Sequence, residues 1–164
     1  MPLVRAPVAW ISDPVPRHIP QSRVAWCNSK SDIMHFDIHD HAHEDLVAIA
    51  ESDPDAVAAV LAMLEQLEAD PSAIDKLTTR GNSDTADGRI NVSPWNEASK
   101  KARRGDLWRF RALDTPATSY RVAYGYHWQT RQVCVLAVVH KEKLNYDDIT
   151  SGIGQRVLAD WAAL

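Results

Sequence analysis

Cysteine is nearly missing from this chain of 164 residues: only Cys27 and Cys134 are present. They lie far apart and form no Cys-x-x-Cys pair, which argues against a disulfide framework or a thiolate zinc site. Both are read as reduced thiols, Cys134 in the core. Long apolar runs are missing too. No stretch approaches the eighteen or so residues a membrane span requires, and Met1-Pro2-Leu3-Val4-Arg5 does not open a secretory leader, so a cytoplasmic protein is expected. No internal repeat is evident, which leaves out solenoids and propellers. What is present, 45% hydrophobic and 24% charged residues, suits one compact domain rather than a disordered chain.

The formal net charge is −4. That total hides a segregation, because residues 1–75 are strongly acidic and residues 76–146 are basic, carrying thirteen Lys and Arg against six Asp and Glu. A local field matters more than the total for holding a phosphate, so the question is where those cations point. The plain alternative is a solvated basic surface.

Five of the nine prolines fall in residues 1–30, which read as an extended arm ahead of a domain spanning 31–164. Alternation from Met34 to Ile38 predicts a strand, and His43 to Ala50 an amphipathic helix. Asp53-Pro54 is an N-cap followed by a first-turn proline. Val57, Val60, Leu61, Leu64 and Leu67 then form one apolar stripe that Asp70-Pro71 ends. Residues 80–105, polar and glycine-bearing, read as an inserted loop anchored by Trp95. Three aromatic and β-branched segments follow, Leu107–Leu113, Tyr120–Trp128 and Val133–His140, at separations suited to antiparallel hairpins. A last helix is expected from Ile153 to Ala163. The predicted fold is α+β: a mostly antiparallel sheet of about four strands, two N-terminal helices packed on one face, and a C-terminal helix.

In Leu107-Trp108-Arg109-Phe110-Arg111 the alternation sends Arg109 and Arg111 to one face and the two aromatics to the other. Arg121 joins the arginines if the next hairpin pairs in register. Lys141, Lys143 and Tyr146 follow the last strand. Such a group suits a phosphodiester, since guanidiniums grip phosphate oxygens bidentately. Taken singly, these residues also fit a solvated sheet face and, for Tyr146, a half-buried aromatic at a helix start. His35, His39, His41 and His43 crowd one junction, and His41, His43 and Asp45 fit a His-x-His-x-Asp pattern. Only His18, His127 and His140 remain elsewhere as imidazole donors, so a polar strand-to-helix corner is preferred and no metal or other cofactor is expected.

These strings, taken in order from Ala42-His43-Glu44-Asp45-Leu46 through Leu64-Glu65-Gln66-Leu67 to Val138-Val139-His140-Lys141-Glu142-Lys143, resemble the RelE/ParE superfamily of toxins. The likeness is to its RelE and HigB type mRNA interferases and covers about residues 33–162. The resemblance implies a cytoplasmic, ribosome-dependent endoribonuclease that cleaves mRNA without a metal, by attack of a ribose 2′-hydroxyl on the adjacent phosphate. It also implies a cognate antitoxin as partner, with the ribosome and mRNA. Residue by residue it implies catalytic roles for Arg109, Arg111, Arg121, Lys141 and Tyr146. RNA contacts are expected from Lys143, Lys100, Lys101, Arg103 and Arg104. The chain departs from the pattern in its acidic total, its proline-rich arm, its insertion at 80–105 and a lysine at 141. The same superfamily includes non-catalytic members that act by binding proteins, gyrase among them, and this is the alternative function.

Overall fold

The computed structural model describes residues 34–86, 88–102 and 106–164. The proline-rich arm, Cys27, Arg103 and Arg104 lie outside them. The described chain runs β1 (His35–Ile38), α1 (Asp40–Ala50), α2 (Pro54–Ala69), α3 (Ala73–Thr78), β2 (Gly81–Thr85), β3 (Gly88–Pro94) and α4 (Asn96–Lys101). It continues through β4 (Asp106–Leu113), a 3-10 turn, β5 (Tyr120–His127), β6 (Gln132–His140) and α5 (Gly152–Ala163). No described helix is long and apolar enough to cross a membrane.

The expected four-stranded sheet with two N-terminal helices is not what forms. Among the described residues six strands pair in the order β1-β6-β5-β4-β3-β2, with β1 parallel to β6 and every other pair antiparallel, and five α-helices accompany them. The two extra strands and α4 come from the stretch read as a loop, and α3 forms just ahead of it. Ile90 and Val92 are fully buried on one face of β3 and hold it against β4, while β2 pairs with β3 as a polar edge strand. An edge strand has no need of apolar alternation, and that is why Gly81-Asn82-Ser83-Asp84-Thr85 carries no strand signal.

Both faces of the sheet are covered. On one side Ala42 and Leu46 of α1, Val60, Met63, Leu64 and Leu67 of α2, and Leu77 of α3 pack against Phe110, Val122, Tyr124, Val133 and Val135. Leu61, expected in the α2 stripe, is partly exposed, and Met63 takes the inward position. On the other side α4 and α5 contribute Ala98, Val157 and Trp161, which meet Leu107, Ala123, Leu136 and Ala137. β6 is buried from Val133 to Val139. It serves both layers, and a register shift opposite Ala123 and Tyr124 turns Leu136 and Ala137 to the same side.

Side-chain size on β5 decides where α5 sits. Along the α5 face the strand presents Arg121, Ala123 and Gly125, and a Cβ on Gly125 would come within 2.4 Å of the Trp161 ring. The helix therefore lies over the glycine end and leaves the arginine end open. Asp45 on α1 fastens it there: Arg156 of α5 donates both guanidinium ends to its carboxylate, which also accepts the Val138 N–H, a donor lying past the point where β1 stops pairing. On the opposite face the Tyr124 hydroxyl donates to Leu77 O at 2.6 Å, and Tyr120 donates to the N-cap carboxylate of Asp53.

Candidate functional site: an arginine cleft on the open end of the sheet

The register makes the site. Asn91 of β3 lies opposite Arg111 of β4, Ser93 lies opposite Arg109, and Arg109 lies opposite Ala123 of β5. Arg111 and Arg121 each lie one residue past the Phe110–Val122 pair that ends the β4–β5 ladder, and both line the same cleft. The short side chains of Asn91, Ser93 and Ala123 leave room among the three guanidiniums. Tyr146, from the segment joining β6 to α5, closes one side. Asn91, Ser93, Arg109, Phe110, Arg111, Arg121 and Tyr146 together line a cleft of about 230 Å³.

Tyr146 is set by two contacts. Its backbone carbonyl accepts the Trp95 indole N–H at 2.9 Å, and its ring meets Trp95 edge-on with centroids 5.9 Å apart. Trp95 is buried and thus does anchor its segment, though to the cleft wall and between two ordered elements rather than within a loop. The Arg109 guanidinium carbon stands 3.3 Å from the Tyr146 ring centroid, a cation–π contact worth about 1–2 kcal/mol when desolvated. The Tyr146 hydroxyl and Arg109 Nη1 are both buried with no hydrogen-bond partner among the described residues.

Charge in the cleft is unbalanced. Among the described residues no carboxylate lies within ion-pair distance of Arg109, Arg111 or Arg121. Arg121 Nη1 donates to the carbonyls of Thr118 and Tyr120, at 3.0 and 2.8 Å. Burial first, then the charges of Arg111 and Arg109, lower the Arg121 pKa, with Tyr146 acting the other way. Burial raises the Tyr146 pKa above that of a free phenol, and the three guanidiniums only partly offset it. The hydroxyl is therefore neutral at physiological pH, a hydrogen-bond donor rather than a base.

Four of the expected catalytic residues, Arg109, Arg111, Arg121 and Tyr146, converge. Lys141 does not line the cleft. The turn after β6, where Lys141 N donates to Ser119 O, leaves that side chain exposed. Lys143 lines a separate cleft of about 340 Å³ with Asp45, Tyr120 and His140. Lys100 and Lys101 are exposed at the end of α4, Lys100 paired with Glu97 at 2.6 Å. Sequence reading missed Asn91 and Ser93, since their stretch looked like loop; the alternation of Ile90 and Val92 was the available signal. The His-x-His-x-Asp spacing of His41, His43 and Asp45 does not bring these three side chains together. His43 is exposed, Asp45 is engaged by Arg156, and His41 meets Asp160 of α5 instead. Cys134 is a free buried thiol, pushed up to about 11 chiefly by burial, and therefore unreactive.

No family model matches the chain. No curated protein matches it either. Among solved structures, an archaeal RelE–RelB complex from Pyrococcus horikoshii OT3 is similar at 18% identity and a TM-score of 0.40, over 68% of this chain and 99% of that one. A likeness at that level assigns neither family nor activity, and the functional reading rests on the cleft.

Proposed function

We propose that the arginine cleft holds an RNA phosphodiester and that the protein is an endoribonuclease toxin of the RelE/HigB kind, cleaving mRNA on the ribosome and silenced by an antitoxin. One observation carries this reading: three guanidiniums with no carboxylate partner among the described residues meet a buried, neutral phenol in a single cleft. Three adjacent cations in a half-dry site repel one another, and an anion with several oxygens relieves that repulsion.

In the reaction a ribose 2′-oxygen attacks the neighbouring phosphorus and its proton passes to solvent. The bond from phosphorus to the 5′-oxygen breaks, leaving a 2′,3′-cyclic phosphate on one fragment and a 5′-hydroxyl on the other. Arg109, Arg111 and Arg121 offset the additional charge of the five-coordinate phosphorus. Tyr146 donates its proton toward the departing oxygen and regains one from water. That role suits a phenol whose pKa is raised, and stacking on a base suits it less, because Arg109 occupies one face of the ring. Lys141, away from the cleft, is assigned no part in the chemistry. With Lys143, Lys100 and Lys101 it supplies long-range attraction for the strand. An antitoxin segment rich in Asp and Glu would compete for Arg109 and Arg111.

A non-catalytic reading has one observation in its favour: burial raises the pKa of the Tyr146 phenol instead of lowering it toward that of a base. Primer extension on cellular messages after induction separates the two. Cleavage predicts new 5′-hydroxyl ends at in-frame positions, and Arg121→Ala reduces them by about 10²–10³-fold. Growth arrest with intact messages would replace the nuclease by a protein-binding function on the same cleft.

A further inference from the structure

At the other end of α5, two imidazoles and a buried carboxylate converge. His39 is the N-cap of α1, and its Nδ1 accepts the His41 backbone N–H at 3.3 Å. An imidazole is an unusual cap, and accepting that bond fixes His39 Nδ1 as the unprotonated nitrogen. The same Nδ1 faces Asp160 Oδ2 at 3.5 Å, so two lone-pair-bearing atoms confront each other. His41 Nδ1 stands 3.0 and 2.9 Å from the two oxygens of Asp160. The Asp160 side chain is only 8% exposed, and among the described residues it has no polar partner besides these two rings. One donor atom from each of the three residues lies within 4.8 Å of the other two.

We propose that His39, His41 and Asp160 bind one divalent transition-metal ion of the zinc class. Bonds of about 2.0–2.2 Å to nitrogen and oxygen in a tetrahedron set neighbouring donors about 3.3 Å apart, and the two imidazole-to-carboxylate spacings of 2.9 and 3.5 Å bracket that value. Two imidazoles and a carboxylate select zinc, cobalt or nickel over magnesium or calcium. His41, with a side chain 44% exposed, leaves a path for the ion and for water to complete the coordination. The ion takes the place of the proton between His41 and Asp160 and removes the confrontation of acceptors at His39. It joins the start of α1 to α5, the two helices that Asp45 and Arg156 already bridge. The site shares no residue with the arginine cleft and stands independently of the RNA reading.

The test uses the full chain, stripped by chelator dialysis and titrated with Zn²⁺ by calorimetry and with Co²⁺ by visible absorption. The expected result is one saturable equivalent and, at about a hundredfold excess over Kd, a thermal midpoint raised by about 5–10 °C. His39→Ala and His41→Ala each weaken binding at least tenfold, whereas His43→Ala, on the exposed side of the same helix, leaves it unchanged. Imidazole ¹⁵N spectra of the wild type give a readout that needs no variant: Zn²⁺ must shift the Nδ1 resonances of His39 and His41. Absence of saturable binding, unmoved Nδ1 resonances, or binding that survives both alanine variants overturns the site.

Discussion

Tyr146 carries a buried hydroxyl with no hydrogen-bond partner among the described residues, and a ring that meets Arg109 on one face and Trp95 edge-on. Those two halves separate by substitution. Tyr146→Phe keeps the contacts with Arg109 and Trp95 and removes an unsatisfied polar group, so stability is expected to rise by about 1 kcal/mol in urea denaturation. RNA cleavage by the same variant is expected to fall at least tenfold, because the proton donor is gone. A gain in stability coupled to a loss of activity marks the hydroxyl as functional; unchanged cleavage would remove Tyr146 from the chemistry and leave it a prop for Arg109. Arg109 and Arg111 were legible in the bare sequence because alternation along a strand dictates a shared face. Lys141 was not, since one turn after β6 redirects its side chain and no periodicity encodes a turn's exit direction.

Elements hold that cleft open, and two of them offer direct checks. Gly125→Ala places a methyl group within 2.4 Å of Trp161. It is expected to destabilise the protein by about 1–3 kcal/mol in chemical denaturation as α5 is pushed from the sheet. The α2–α3 junction responds to pH. Lys76 at 2.6 Å, with the hydroxyl and backbone N–H of Ser72, lowers the Asp70 carboxyl to about 2. The value in the unfolded chain is higher, about 3.9, so the carboxylate's contribution is present above pH 4 and lost as pH falls through 2. Wild type and Asp70→Asn should differ by about 1 kcal/mol at pH 6, after allowance for screening, and converge near pH 2. Of the elements themselves, β4 and α2 were readable because one buried face imposes a period on each, and β5 and β6 because their aromatic and β-branched runs are buried almost throughout. The β2–β3 hairpin was not, for its outer strand is polar on both sides, and α3 and α4, six residues each, are too short to show a stripe.

At the scale of the molecule, an acidic first half and a basic middle coexist in a chain of net charge −4. If the cleft neutralises about three phosphates of single-stranded RNA, log affinity should fall against log salt with a slope near −2. Filter binding between 50 and 300 mM salt measures that slope, and each arginine-to-alanine change should shallow it. A flat dependence would mean that the anion engaged is not a nucleic-acid backbone.

The parallel pairing of β1 with β6 bears on how the protein is made. His35 finds its neighbour Gln132 only after about a hundred further residues have been synthesised, and Tyr146 comes later still. Until then the apolar sides of α1 and α2 wait without their sheet, the circumstance in which a nascent chain is most exposed to aggregation. The same delay is protective, since a product truncated anywhere before the segment that carries Tyr146 lacks one wall of the cleft, and prematurely terminated fragments should be inert toward RNA.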